Sequence, residues 1–128
     1  MSLRSALGTA LGHGAAGAGV AHWWSQRVSA LALVPLTLWL LGALVRLPLG
    51  DYAVMSLWFG YGWNPVLLGL TLLVGCWHSS LGIQVVIEDY VHAPGLKLAA
   101  LLGSNGLHGL LAAGGLYAIV RAALRSPT

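Results

Sequence analysis

The chain has 128 residues, of which 58% are hydrophobic and 7% charged, and its mean hydropathy is +0.82. Soluble domains carry about 25% charged residues, so most of this chain is kept from water. There is room for about three membrane spans at ~20 residues each and none for a separate soluble catalytic domain. The net charge of +3 comes from single basic residues between apolar stretches. That pattern indicates membrane orientation and headgroup contact, not nucleic-acid binding. The one cysteine, Cys76, excludes an intrachain disulfide and a cysteine-rich metal site. With no Cys-x-x-Cys-His run, any haem would be held non-covalently.

The expected fold is all-α and integral to the membrane. Residues 1–21, rich in Ala and Gly and carrying Arg4 and His13, read as an arm, since glycine disfavours an isolated helix. A signal peptide is the other reading, because Arg4 precedes small apolar residues. Residues 22–128 form the anchor domain. Its first span is expected over 28–45, bracketed by Arg27 and Arg46 and containing Pro35. Trp23 and Trp24 lie where an aromatic belt belongs. The connection 48–64 holds Tyr52, Trp58, Phe59, Tyr61 and Trp63. It is too aromatic for a solvated loop and should lie along the interface or against a partner. The second span is expected over 65–87, with Pro65 in the first turn and Asn64 as cap. Pro94-Gly95 turns the chain into a third span over 98–120, which ends at Arg121 and Arg125. Flanking charge is tied between the two sides. The flank of the first span favours an N-terminus on the cytoplasmic side.

His78 stands near the middle of the second span, and a histidine at that depth marks a site by default. Gly75 and Gly82, at i−3 and i+4, remove side-chain bulk from its face. A neutral imidazole is a good iron ligand. Asp89 and Tyr90 follow at the water boundary. Eleven steps of about 100° return Asp89 to within roughly 20° of the His78 face, about 16 Å further along the axis. A phenol there can donate to a quinone carbonyl while a carboxylate orients it or relays protons. Equally, Tyr90 could be an interfacial anchor and Asp89 a solvated acid. Glu88 is expected to face solvent, His22 to contact the surface or headgroups, and His92 to sit in a solvated turn. Arg27, in His22-Trp23-Trp24-Ser25-Gln26-Arg27-Val28-Ser29-Ala30, could pair with a haem propionate or snorkel.

His108, in the third span, should lie at a depth similar to that of His78 if the helices are antiparallel. It could complete an intrachain bis-histidine haem, or it could bond another span in a glycine-rich stretch where helices approach closely. The residues alone therefore leave three classes open: half of a shared haem site, a stand-alone cytochrome b using His78 and His108, and a non-redox helical scaffold. Nothing resembles a phosphate loop, a nucleophile elbow, His-Glu-x-x-His or a nucleic-acid motif.

The run His78-x-x-x-Gly82-x-x-x-x-x-x-Asp89-Tyr90 resembles the signature of the D-type hydrophobic membrane anchor of succinate dehydrogenase. Arg27-Val28-Ser29-Ala30 resembles its N-terminal motif, and the likeness extends from about His22 to Val120. It implies three transmembrane helices forming half of a haem-binding bundle with a C-type anchor subunit. His78 would be one axial ligand of haem b, with the second from the partner. Gly82 would give the ring room, and Arg27 would lie near the propionates. Tyr90 would hydrogen-bond ubiquinone, supported by Asp89. A flavoprotein and an iron–sulfur subunit would dock on the anchors in a bacterial cytoplasmic or mitochondrial inner membrane, with the N-terminus on the cytoplasmic or matrix side. This chain would lack the succinate-oxidising site.

Overall fold

The computed structural model describes residues 16–125. It contains four helices: α1 (Ala16–Arg46), α2 (Tyr52–Gly60), α3 (Asn64–Tyr90) and α4 (Pro94–Arg125). Three are long and apolar enough to cross a membrane, over Gly19–Arg46, Asn64–Tyr90 and Pro94–Arg125. Each exceeds its expected length because the interfacial aromatics and arginines continue the helix past the apolar run. The 27 residues of α3 rise about 40 Å, beyond the ~30 Å hydrocarbon layer.

The first helix begins inside the stretch expected to be an arm, and Arg4 and His13 lie outside the described residues. Pro35 is accommodated within α1, which continues unbroken to Arg46. The aromatic connection also differs from expectation, for it contains the helix α2. The Asp51 carboxylate accepts from the amides of Ala53 and Val54 at 2.9 and 3.2 Å, capping that helix. Trp58 of α2 stacks on Trp39 of α1 at 5.8 Å and meets Phe59 edge-on at 5.4 Å. Gly62, at φ +55°, takes the left-handed conformation that lets the chain turn from α2 into α3. Asn64 is the first residue of α3 and not its cap. Its amide instead donates to the Trp58 carbonyl at 3.0 Å, while Pro65 sits in the first turn as expected.

Helix α3 is central, packing on α1 along one side and α4 along another, while α1 and α4 do not pack together. Both contacts are antiparallel. Gln26 lies near Gly82 and Ser29 meets His78; Gly69 lies near Leu116 and Leu72 near Gly115. At Gly115 an added Cβ would come within 2.5 Å of Leu72 Cδ2, so close packing of α3 on α4 depends on that glycine. Gly103, Gly106, Gly109 and Gly114 have nothing within 4 Å, so most of the glycines expected to set helix approach are unused within this chain. No hydrophobic side chain among the described residues is buried. A layer of helices with α3 in the middle leaves its apolar faces to lipid and to partners.

Candidate functional site

The centre of the molecule is a polar cluster between α1 and α3. Ser29 is fully buried, at 0% exposure. Its hydroxyl donates to the Gln26 carbonyl one turn back at 3.0 Å, and its oxygen lies 2.9 Å from His78 Nδ1. The other ring nitrogen, Nε2, lies 3.4 Å from the amide nitrogen of Gln26. A hydroxyl has one hydrogen. With that hydrogen on the Gln26 carbonyl, the Ser29 oxygen must accept from His78 Nδ1–H. Nε2 is then the nitrogen that carries the lone pair of a neutral ring, the form in which an imidazole ligates iron. His78 also borders an open groove of about 390 Å³ lined by Ala30, Leu33, Val34, Thr37 and Leu38. Gly75 has nothing within 4 Å, and a Cβ on Gly82 would meet only Gln26 Nε2, at 3.7 Å. The donor chemistry and the space around the ring thus fit axial ligation of haem.

The same cluster contains groups that the sequence reading passed over. His22, Gln26 and Ser29 recur at i, i+4 and i+7 on the face of α1 turned to α3. His22 is half-buried, and its Nε2 is buried without a hydrogen-bond partner, as is Gln26 Oε1. Polar residues at helical spacing within an apolar helix were the available signal. It is obscured by Trp23, Trp24 and Arg27, which lie between them and draw attention to the interface.

Arg27 is not at the start of its helix. It lies about 12 Å of helical rise past Gly19, near the level of His78 and Gly82. Its guanidinium stacks 4.2 Å above the Trp23 ring, which itself stacks on Trp24 at 5.8 Å. Stacking uses the guanidinium face and leaves the in-plane N–H groups available for an anion. Asp89 and Tyr90 lie at the end of α3, about 12 Å beyond Gly82. Both are exposed, and Tyr90 is 79% exposed. Around them the connection is tied down. Gln84 donates to the Glu88 carboxylate at 2.7 Å, Lys97 Nζ to the Glu88 carbonyl at 3.0 Å, and His92 Nδ1 to the Tyr90 carbonyl at 3.2 Å. His92 is exposed in the connection, as expected.

His108 belongs to a different contact. Its Nδ1 donates to the Ser104 carbonyl at 2.7 Å, so Nε2 accepts from Ser79 at 3.1 Å. Ser79 and His78 are consecutive on α3 and point about 100° apart. His108 borders its own groove with Cys76, Trp77 and Asn105, which shares no lining residue with that of His78. His78 is thus turned to α1, while His108 joins α4 to α3, and the two imidazoles border different grooves.

Comparison with known proteins agrees with this architecture. Residues 1–112 match the family described as "Succinate dehydrogenase/Fumarate reductase transmembrane subunit". A succinate dehydrogenase membrane anchor subunit from Reclinomonas americana is 32% identical over 87 residues, covering 65% of this chain and 72% of that one. A hydrophobic membrane anchor subunit from Rickettsia typhi is 33% identical over 79 residues, covering 62% and 63%. The corresponding subunit from Paracoccus denitrificans is 30% identical over 114 residues, covering 88% and 87%. No solved structure matches. A match over most of the chain and three apolar helices of spanning length lead to one conclusion: the chain belongs to the succinate dehydrogenase/fumarate reductase transmembrane subunit family, as a membrane anchor.

Proposed function

We propose that this anchor supplies one axial ligand, His78, to a haem b shared with a C-type partner subunit, and contributes Tyr90 and Asp89 to a ubiquinone-reduction site. The observation that carries the reading is the setting of His78, with Nδ1 engaged by Ser29, Nε2 held only by a long 3.4 Å contact to the Gln26 amide, and the ring at the edge of an apolar groove. When bound, haem b supplies a one-electron store whose potential is tuned by its axial ligands and surroundings.

The chain's own residues do the rest. His78 would hold the iron. Gly75 and Gly82 keep the face of its helix free of side chains. Arg27 would offer its in-plane N–H groups to the haem carboxylates. At the membrane boundary the Tyr90 hydroxyl donates to a quinone carbonyl, and Asp89 holds and passes the proton that the reduced oxygen needs. The exposure of both residues suits a pocket completed by other subunits. Succinate oxidation itself belongs to a flavoprotein, and the electrons arrive through an iron–sulfur subunit. The N-terminus lies on the cytoplasmic or matrix side of a bacterial cytoplasmic or mitochondrial inner membrane.

Two substitutions test the reading. His78→Ala is expected to abolish the low-spin haem signal in reduced-minus-oxidised spectra of the intact complex, and an unchanged spectrum overturns the haem assignment. Tyr90→Phe removes one hydrogen bond, which is worth about 0.5–1.5 kcal/mol, or roughly two- to tenfold in rate. Quinone reduction should slow by that factor while electron transfer from succinate to an artificial dye is retained. Equal loss of both activities argues against a quinone contact.

A further inference from the structure

We infer that Ser29 is the positioning residue for His78: its hydroxyl oxygen holds an imidazole proton on Nδ1 and so leaves Nε2 as the ligand atom. The inference rests on the reading that His78 ligates haem iron, and goes beyond it by assigning what prepares the ligand. Among the described residues of α1 only Ser29 is buried, on an inward stripe that it shares with His22 and Gln26. Buried hydroxyls persist where they have partners, and this one has two. Its hydrogen is committed to the Gln26 carbonyl at 3.0 Å, a back-bond along the helix that fixes the side-chain rotamer. The oxygen lone pair is thereby aimed at Nδ1, 2.9 Å away.

The opposite assignment is poorer. Were the hydroxyl to donate to Nδ1, the ring proton would move to Nε2 and face the Gln26 amide nitrogen at 3.4 Å, donor against donor. Turning the amide over would relieve that clash, yet the Ser29 bond to the Gln26 carbonyl would still be lost. The contact also has an electronic consequence. An acceptor on Nδ1–H raises the basicity of the ring and fixes its plane. A more basic axial imidazole favours ferric over ferrous iron, so the haem potential should be lower with Ser29 than without it.

The experiment compares His78→Ala, Ser29→Ala and Ser29→Thr in the intact complex purified in detergent. Dye-coupled succinate oxidation serves as the check on assembly. Ser29→Ala should retain a low-spin haem but hold it about 10- to 100-fold more weakly, measured by transfer to excess apomyoglobin. Its midpoint potential should rise, and its low-field electron paramagnetic resonance feature should move. Ser29→Thr restores the hydroxyl and should return all three readouts to those of the unmodified complex. Ser29→Cys keeps the volume but offers only a weak acceptor, so it should behave like alanine and serves if the alanine variant does not assemble. Unchanged haem retention and potential in Ser29→Ala overturn the inference. So does a Ser29→Thr variant as altered as alanine, since packing and not the hydroxyl would then be responsible. If His78→Ala keeps the unmodified spectrum, the ligand reading itself fails, which is a different result from either of these.

Discussion

His78 and His108 show how neighbouring contacts give one residue type two roles. Each imidazole donates from Nδ1, so that in the neutral ring the lone pair lies on Nε2. On His108 that lone pair accepts from Ser79, and the ring ties two helices together. On His78 it lies opposite a glutamine amide at a long 3.4 Å, a weak contact that a metal would outcompete. His108→Leu should accordingly leave the haem spectrum unchanged. Its cost should be the interhelical hydrogen bond, about 0.6 kcal/mol on average between membrane helices, read as a small loss of stability in detergent denaturation of the complex. A lost haem band in that variant would restore the bis-histidine alternative.

At the scale of elements, the tightest glycine of the α3–α4 contact is Gly115. A side chain on Gly115 must displace Leu72, whereas one on Gly103 or Gly106 meets nothing within 4 Å of this chain. Gly115→Val should therefore overpack the interface by about 1–3 kcal/mol, measured as a lower midpoint of thermal inactivation. Gly103→Ala should be neutral or slightly stabilising, because alanine favours helix; equal effects at both sites would show that this contact does not organise the pair. Helix α2 depends on its cap. Asp51→Ala removes two hydrogen bonds to the first turn and should cost about 1 kcal/mol. The damage should be local, visible as faster hydrogen exchange across Tyr52–Gly60 and not in the three spans.

The whole molecule is a layer and not a closed bundle. Helix α3 is covered on two sides by α1 and α4, which do not meet, and its neighbours present long apolar faces outward. Among the described residues only Ser29 and Gly69 are buried, so this chain encloses almost nothing by itself. Such a layer suits an anchor subunit, whose remaining contacts come from other subunits and lipid. Expressed without its partners, the chain should be cleaved by added protease much faster than in the complex, with early cuts near the exposed Tyr90–Pro94 connection. Equal resistance in the two preparations would show that the three spans are self-sufficient.

Composition and hydropathy by themselves determined the class of fold: three apolar stretches of spanning length, in a chain too poor in charge to meet water, must be membrane helices. The spacing of His78, Gly82, Asp89 and Tyr90 along one helix was equally legible, because helical geometry is local. The helix ends were not, since an apolar run ends before the interfacial Trp, Tyr and Arg residues that extend the helix. Nor was α2, whose nine residues carry apolar side chains on nearly all sides and no clear period. The partner of His78 was decided only by tertiary structure. Ser29 and Gln26 lie 49 and 52 residues away in the chain, and nothing local says which face of α1 turns to α3. Antiparallel packing brings a serine hydroxyl to one ring nitrogen and a glutamine amide to the other, so the surroundings of the imidazole were settled between helices.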